Sequence, residues 1–190
     1  MRALRVHELS DDIDVLRLDE VELPAPGEGE VQVRLKACSV NFPDILMVQG
    51  KYQFKPELPF SPGMEGAGVI AAIGSGVSDF AVGDEVVAGL RVGGFAEAAN
   101  VPAASCRPKP ANLSFEKAAA YPAAYLTAYV GLVIRGQLKA GETVLIHGAS
   151  GGVGLAAVDV AKLMGATVIA TSASDEKLEV VKTRGADHVL

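Results

Sequence analysis

The stretch 143-TVLIHGASGGVGLAAVDVAKLMGATVIATS-172 decides how this chain folds. Residues 143–148 are a short β-branched, apolar run of the kind that forms a parallel strand buried on both faces. Glycine then recurs at every third position, Gly148, Gly151 and Gly154. The helical run LAAVDVAKLMG follows, with Gly165 placed just past its end, after Lys162 and Met164. ATVIATS reads as a second buried strand. A glycine loop of this kind turns sharply and lets backbone N–H groups approach a pyrophosphate at a helix N-terminus, where the helix dipole favours anions. Glycine-rich turns are common; the strand before and the helix and strand after are what mark this one as a dinucleotide site. Gly148, Ser150, Gly151, Gly152, Val153 and Gly154 are its candidate cofactor contacts.

The end of the second strand indicates which dinucleotide. NAD sites usually place a carboxylate there, roughly 20 residues past the loop, to bind the ribose 2′-hydroxyl. Ser172 stands 18 residues after Gly154, and no carboxylate appears before Asp175. A carboxylate would repel a 2′-phosphate, whereas Ser172, Ser174 and Lys177 can donate hydrogen bonds to it. NADPH is therefore the expected cofactor. The competing reading of Lys177 is a solvated helix residue. Ser174 also suits the N-cap of a helix with Asp175 and Glu176 in its first turn and Gly185 at its end. ADHVL (186–190) starts a third strand. A doubly wound domain has six, so the sequence is expected to hold a truncated one.

Upstream, the pattern is β and turn. In EVQVRLKAC (30–38), Val31, Val33, Leu35 and Ala37 alternate with Gln32, Arg34 and Lys36, a half-buried strand. Short apolar runs recur between glycines (AGVIAAIG, DEVVAGL, GFAEAANV), which predicts a compact, mainly antiparallel domain. Asn112 or Ser114 is placed to cap a helix running on through AAAYPAAYLTAYVGLVI to Ile134.

Composition narrows the function. Seventeen Lys and Arg oppose 23 Asp and Glu, a net charge of −6, so no basic footprint for nucleic acid or an anionic membrane is expected. The most apolar stretch, residues 118–134, has 17 residues, fewer than the roughly 20 that span a bilayer. Cys38 and Cys106 cannot form a disulfide framework, and the N-terminus turns acidic before any signal-peptide core develops. A cytoplasmic, reducing setting is the simplest expectation.

GASGG also matches G-x-S-x-G, the nucleophile elbow of α/β-hydrolases, with Ser150 as nucleophile. A triad would then need a downstream acid and histidine. Only His188, with Asp187 beside it, is available.

Five segments together resemble the medium-chain dehydrogenase/reductase superfamily, in its zinc-free NADPH:quinone oxidoreductase (zeta-crystallin-like) branch. They are NFPDILMVQGKYQ (41–53), LPFSPGMEGAGVI (58–70), VGDEVV (82–87), AAYLTAY (123–129) and HGASGGVGLAAVDVAKLMGATVI (147–169). The resemblance implies an α/β chain: a GroES-like catalytic domain over residues 1–122, without its C-terminal return segment, then the first half of a Rossmann domain over 123–190. Asn41 and Met64 stand where the alcohol-dehydrogenase branch has zinc-binding Cys and His; an amide and a thioether are poor zinc ligands, so no metal is expected. His7, His147 and His188 lack ligand-like spacing.

By resemblance, Asn41 and Tyr52 sit where substrate meets nicotinamide, with Tyr52 hydrogen-bonding the carbonyl, and Thr127 holds the nicotinamide carboxamide. Against this stand an ordinary loop tyrosine at 52 and a turn-capping amide at Asn41. Leu46 occupies a position where the family often has a second tyrosine. Asp44 and Glu65 are expected to be structural. The implied activity is metal-free hydride transfer from NADPH to a quinone or α,β-unsaturated carbonyl, by a homo-oligomer (a homodimer). The 190 residues alone are expected to be inactive. The alternative is a non-catalytic NADPH-binding, crystallin-like protein.

Overall fold

A computed structural model describes residues 1–190, which divide into two compact units, Met1–Ala120 and Tyr121–Leu190.

In the first unit, β1 (Arg2–Val6) and β2 (Leu16–Glu20) form an antiparallel pair. The main sheet is built from β3 (Glu30–Cys38), β4 (Glu65–Ile73), β5 (Glu85–Gly89), β6 (Ala98–Pro102) and β7 (Cys106–Pro108). Its order is β6-β3-β4-β5-β7, antiparallel throughout. The alternation expected of β3 is present: Val31 and Val33 are fully buried while Arg34 and Lys36 are exposed. They pack with Ile70, Val86, Ala88, Val101 and Cys106 in the sheet's own core. A second cluster joins Val6 and Phe60 to Met47 and Val48 of helix α1 (Phe42–Val48). That helix begins where the sequence permits: Pro43 costs nothing in a first turn whose N–H groups have no intrahelical partner, and Asn41 with Asp44 closes a reciprocal capping box.

The helix expected from Ser114 to Ile134 is three pieces. Ser114 does cap α2 (Phe115–Ala120), its hydroxyl accepting the Lys117 N–H at 3.3 Å. The ladder breaks at Tyr121, because Pro122 has no N–H to continue it. Pro122 instead opens α3 (Pro122–Tyr129). From Val130 to Arg135 the turn widens to π geometry, and the Gly136 N–H reaches back to the Gly131 carbonyl at 2.8 Å. A Cβ at residue 136 would stand 2.9 Å from the carbonyl oxygens of Gly131 and Leu132, so this closing turn requires glycine.

The second unit carries the parallel sheet. Strands β8 (Thr143–Ile146), β9 (Thr167–Ala170) and β10 (His188–Val189) lie in the order β10-β9-β8. Helix α4 (Gly152–Leu163) buries Ala156, Ala157, Val158, Val160 and Ala161, and packs on α3 and on β8 and β9. Small residues at the contact let helix and sheet approach closely. Helix α5 (Asp175–Thr183) starts at Ser174, as its capping pattern predicts, and ends before Gly185, whose φ is +101°. Asp187 then fixes the third strand, accepting from Lys162 Nζ at 2.8 Å and from the Val168 N–H at 2.7 Å. The chain is thus α/β: an antiparallel β unit, then a parallel βαβαβ unit. No helix is long and apolar enough to cross a membrane.

Candidate functional site

In the second unit the glycine loop joins the C-terminal end of β8 to the N-terminus of α4, the end of a parallel sheet where ligands bind. Two backbone bonds tie it to the segment after β9: Ala149 N–H to Thr171 O and Thr171 N–H to Ile146 O, both 2.9 Å. Its glycines do different work. Gly148 has φ +61°, a left-handed turn that side chains rarely adopt. A Cβ on Gly154 would stand 2.4 Å from the Gly148 carbonyl oxygen and 2.7 Å from Ala149 Cα, so residue 154 must be bare for α4 to meet the loop. Around Gly152, by contrast, nothing lies within 4 Å of a built Cβ. Gly151 is the N-cap and has no side chain to satisfy the first N–H groups of α4, and Gly151, Gly152 and Val153 are all exposed. The loop is an open cradle of backbone donors.

Beside it, Ser150 and Ser172 are half-buried with their hydroxyl oxygens 2.7 Å apart. Ser174 and Lys177 are exposed one step further on; the Ser174 oxygen faces the Lys177 N–H at 3.5 Å, so its first role is the helix cap. Thr127 is exposed on α3. Sequence reasoning missed His147: its ring is exposed at the end of β8, with Nδ1 3.0 Å from Thr171 Oγ1. The partner of Ser150 is a serine hydroxyl and not an imidazole, so the hydrolase reading lacks its base.

In the first unit, Asn41 belongs to a polar knot. Its Nδ2 donates to Ser39 Oγ at 2.9 Å and to Glu65 Oε1 at 3.0 Å, and the Ser39 hydroxyl also donates to Glu65. Asp44 accepts the Asn41 N–H at 2.8 Å and the Gly63 N–H at 2.9 Å. Both carboxylates are 2% exposed, which fits structural anchors. Burial pushes the Asp44 carboxyl up, opposed by those two hydrogen bonds, and the neighbouring Glu65 charge adds to the rise. Burial, with Asp44 second, also raises the Cys38 thiol.

Tyr52 hangs from the end of α1, its N–H bonded to the Leu46 carbonyl at 3.1 Å. With Gln53, Phe54, Met64, Leu90 and Arg91 it lines a pocket of about 310 Å³. The structure therefore brings Tyr52 and Met64 to the same pocket. Arg91 is the second residue the sequence reading missed. It sits in an irregular loop after β5, in no motif, and only the tertiary fold carries it to Tyr52. No group of three or more His, Cys, Asp or Glu side chains is arranged to hold a metal ion.

Comparison with known proteins agrees with this architecture. The family model described as Alcohol dehydrogenase GroES-like domain matches residues 27–111, and the model described as Zinc-binding dehydrogenase matches residues 152–190. The chain is 42% identical over 191 aligned residues to a quinone oxidoreductase of Lama guanicoe, which covers all of this chain and 58% of that protein. It is 44% identical over 165 residues to a synaptic vesicle membrane protein VAT-1 homolog of Rattus norvegicus, covering 87% of this chain and 41% of that one. The chain thus spans less than two thirds of either relative. Among solved structures, Escherichia coli quinone oxidoreductase complexed with NADPH superposes with a TM-score of 0.94 at 35% identity, over the whole chain and 58% of the neighbour.

Proposed function

For a chain that belongs to the medium-chain dehydrogenase/reductase family, we propose that its protein is an NADPH-dependent oxidoreductase acting on quinones or related enones without a metal ion. The observation that carries this reading is the Ser150–Ser172 hydroxyl pair, 2.7 Å apart beside an open glycine cradle.

The residues present fit the cofactor. The exposed N–H groups at the start of α4 suit the pyrophosphate; bare residues 151 and 152 let backbone and ligand meet closely, and bare residue 154 lets α4 close on the loop. Ser150 and Ser172, with Ser174 and Lys177 next in line, offer donors and no carboxylate to a 2′-phosphate. Gly148 shapes the turn and Val153 borders it, while Thr127 offers a hydroxyl to the nicotinamide amide. When bound, NADPH supplies the hydride, and the quinone takes up one proton from water to leave as the hydroquinone.

The first unit supplies the carbonyl pocket. The Tyr52 phenol donates a hydrogen bond to the oxygen on which negative charge develops, the kind of preorganised donor that stabilises such charge. Phe54, Met64 and Leu90 give the flat apolar walls a conjugated ring requires. We also assign to the site Asn41, which Ser39, Glu65 and the α1 cap hold as a fixed polar group. Zinc does not fit this donor set. An amide already donating to two oxygens and a thioether stand where thiolate and imidazole would be needed. A quinone or enone spreads the arriving charge over its own conjugated system, so no strong Lewis acid is required.

Reduced-nicotinamide absorbance followed with para-benzoquinone tests the reading. Quinone-dependent oxidation of NADPH is expected, and Tyr52→Phe should lower kcat/KM about tenfold, about 1.4 kcal/mol. The alternative reading is a crystallin-like protein that binds NADPH without turnover. Cofactor binding without quinone-dependent oxidation would establish that one.

A further inference from the structure

Arg91 stands out among the walls of the Tyr52 pocket. The other five residues are Tyr52, Gln53, Phe54, Met64 and Leu90, so the guanidinium is the pocket's one charge. It makes none of the protein's ion pairs. Its central carbon lies 5.5 Å from the centre of the Phe54 ring. Stacking on an aromatic face leaves the edge of a guanidinium, with its forked N–H donors, free to meet an oxyanion. The ring also restricts where an otherwise mobile side chain can go, so less freedom is lost when a ligand binds.

Leu90 and Arg91 line a second cavity too, of about 580 Å³, together with Gly89, Val92, Asn100, Val101, Pro102 and Ser105. That cavity has no acidic side chain either. A carboxylate set in either space would neutralise Arg91; none is there. Arg91 is thus an exposed cation at the junction of an apolar slot and a neighbouring cavity, with no acidic side chain lining either.

We propose that Arg91 determines substrate specificity by binding an anionic substituent, a carboxylate or sulfonate, on the substrate's conjugated ring. This rests on the reading of the Tyr52 pocket as the carbonyl site. The ring lies in the pocket of Tyr52, Phe54 and Met64, and its anionic arm reaches the guanidinium toward the second cavity. The favoured substrates are acidic quinones or enones, and neutral ones bind as weaker analogues. Arg91 takes no part in hydride or proton transfer.

Calorimetric titration with anthraquinone sulfonate and with neutral hydroxymethyl anthraquinone tests this in the wild-type protein, Arg91→Met and Arg91→Lys. The wild type should bind the sulfonate at least tenfold more tightly, and rising salt should reduce that ratio, as for a solvent-accessible ion pair. Arg91→Met, which keeps an unbranched apolar stem, should bring the two affinities within twofold. Arg91→Lys should retain part of the preference. Equal affinities in the wild type, a preference that survives Arg91→Met, or no binding of either compound overturns the proposal. Oxidation of NADPH by para-benzoquinone is scored separately. Turnover without a sulfonate preference sinks this inference alone; an Arg91-dependent preference without turnover sinks only the quinone reading.

Discussion

Ser150 Oγ lies 2.7 Å from Ser172 Oγ, although the two residues are 22 positions apart. Ser150 belongs to the glycine loop after β8, and Ser172 follows β9. Parallel pairing of Ile146 with Ala170 brings these two strand ends side by side. On the function proposed above, the pair is a small donor surface where a carboxylate would select the other dinucleotide.

Cofactor preference follows from it. NADPH should bind at least tenfold more tightly than NADH, about 1.4 kcal/mol. Ser172→Asp should reverse the order by setting a carboxylate against the 2′-phosphate. Fluorescence titration with both cofactors measures it; identical curves for the wild type would contradict the assignment.

Two of the loop's four glycines, Gly152 and Gly154, should respond oppositely to a methyl group. Gly154→Ala drives a Cβ onto the Gly148 carbonyl, and overpacking of this kind costs about 1–3 kcal/mol. Gly152→Ala meets no atom within 4 Å and should leave the urea midpoint unchanged or slightly raised. It should nonetheless weaken NADPH, because the methyl group occupies the cradle. Urea unfolding and cofactor titration on both variants separate packing from binding.

Asp187 predicts an acid limb. Hydrogen bonds from Lys162 and then from the Val168 N–H hold its carboxyl below the usual range. A depressed carboxylate contributes stability that is present above its unfolded pKa and is lost as pH falls through the folded one. Asp187→Asn should therefore match the wild type at low pH and be less stable near neutrality. Thermal unfolding across that range, followed by circular dichroism, would show a constant gap if the bond to Lys162 were irrelevant.

The two thiols should differ in reactivity. Cys106 is 1% exposed and burial pushes its thiol up to about 11; the Cys38 thiol is also raised, but its residue is exposed at the end of β3. A disulfide reagent at mildly alkaline pH should label Cys38 in the folded protein and Cys106 only after denaturation. Rapid labelling of both would mean that the sheet core opens.

Metal independence is a further expectation. Exhaustive chelation should leave quinone reduction unchanged, and elemental analysis should find no stoichiometric zinc. Zinc that is lost together with activity would overturn the reading of Asn41 and Met64.

Local features were readable from residue order alone because their causes are local. The β-branched runs of β8 and β9, the spacing of Gly148, Gly151 and Gly154, and the capping by Ser114 and Ser174 each act within a few residues. The break at Tyr121 was equally local, since Pro122 signals it; the continuous apolar composition around it concealed the signal. Other features depend on groups far apart in the chain. Ser150 meets Ser172 only once β8 and β9 pair. Asn41 gains its partners when β4 delivers Glu65 beside the end of β3, and Arg91 reaches Phe54 through a loop that has no periodicity to read. Hydrogen bonds and cation–π contacts act over a few ångströms, and only the packed fold brings residues that distant in sequence within that range.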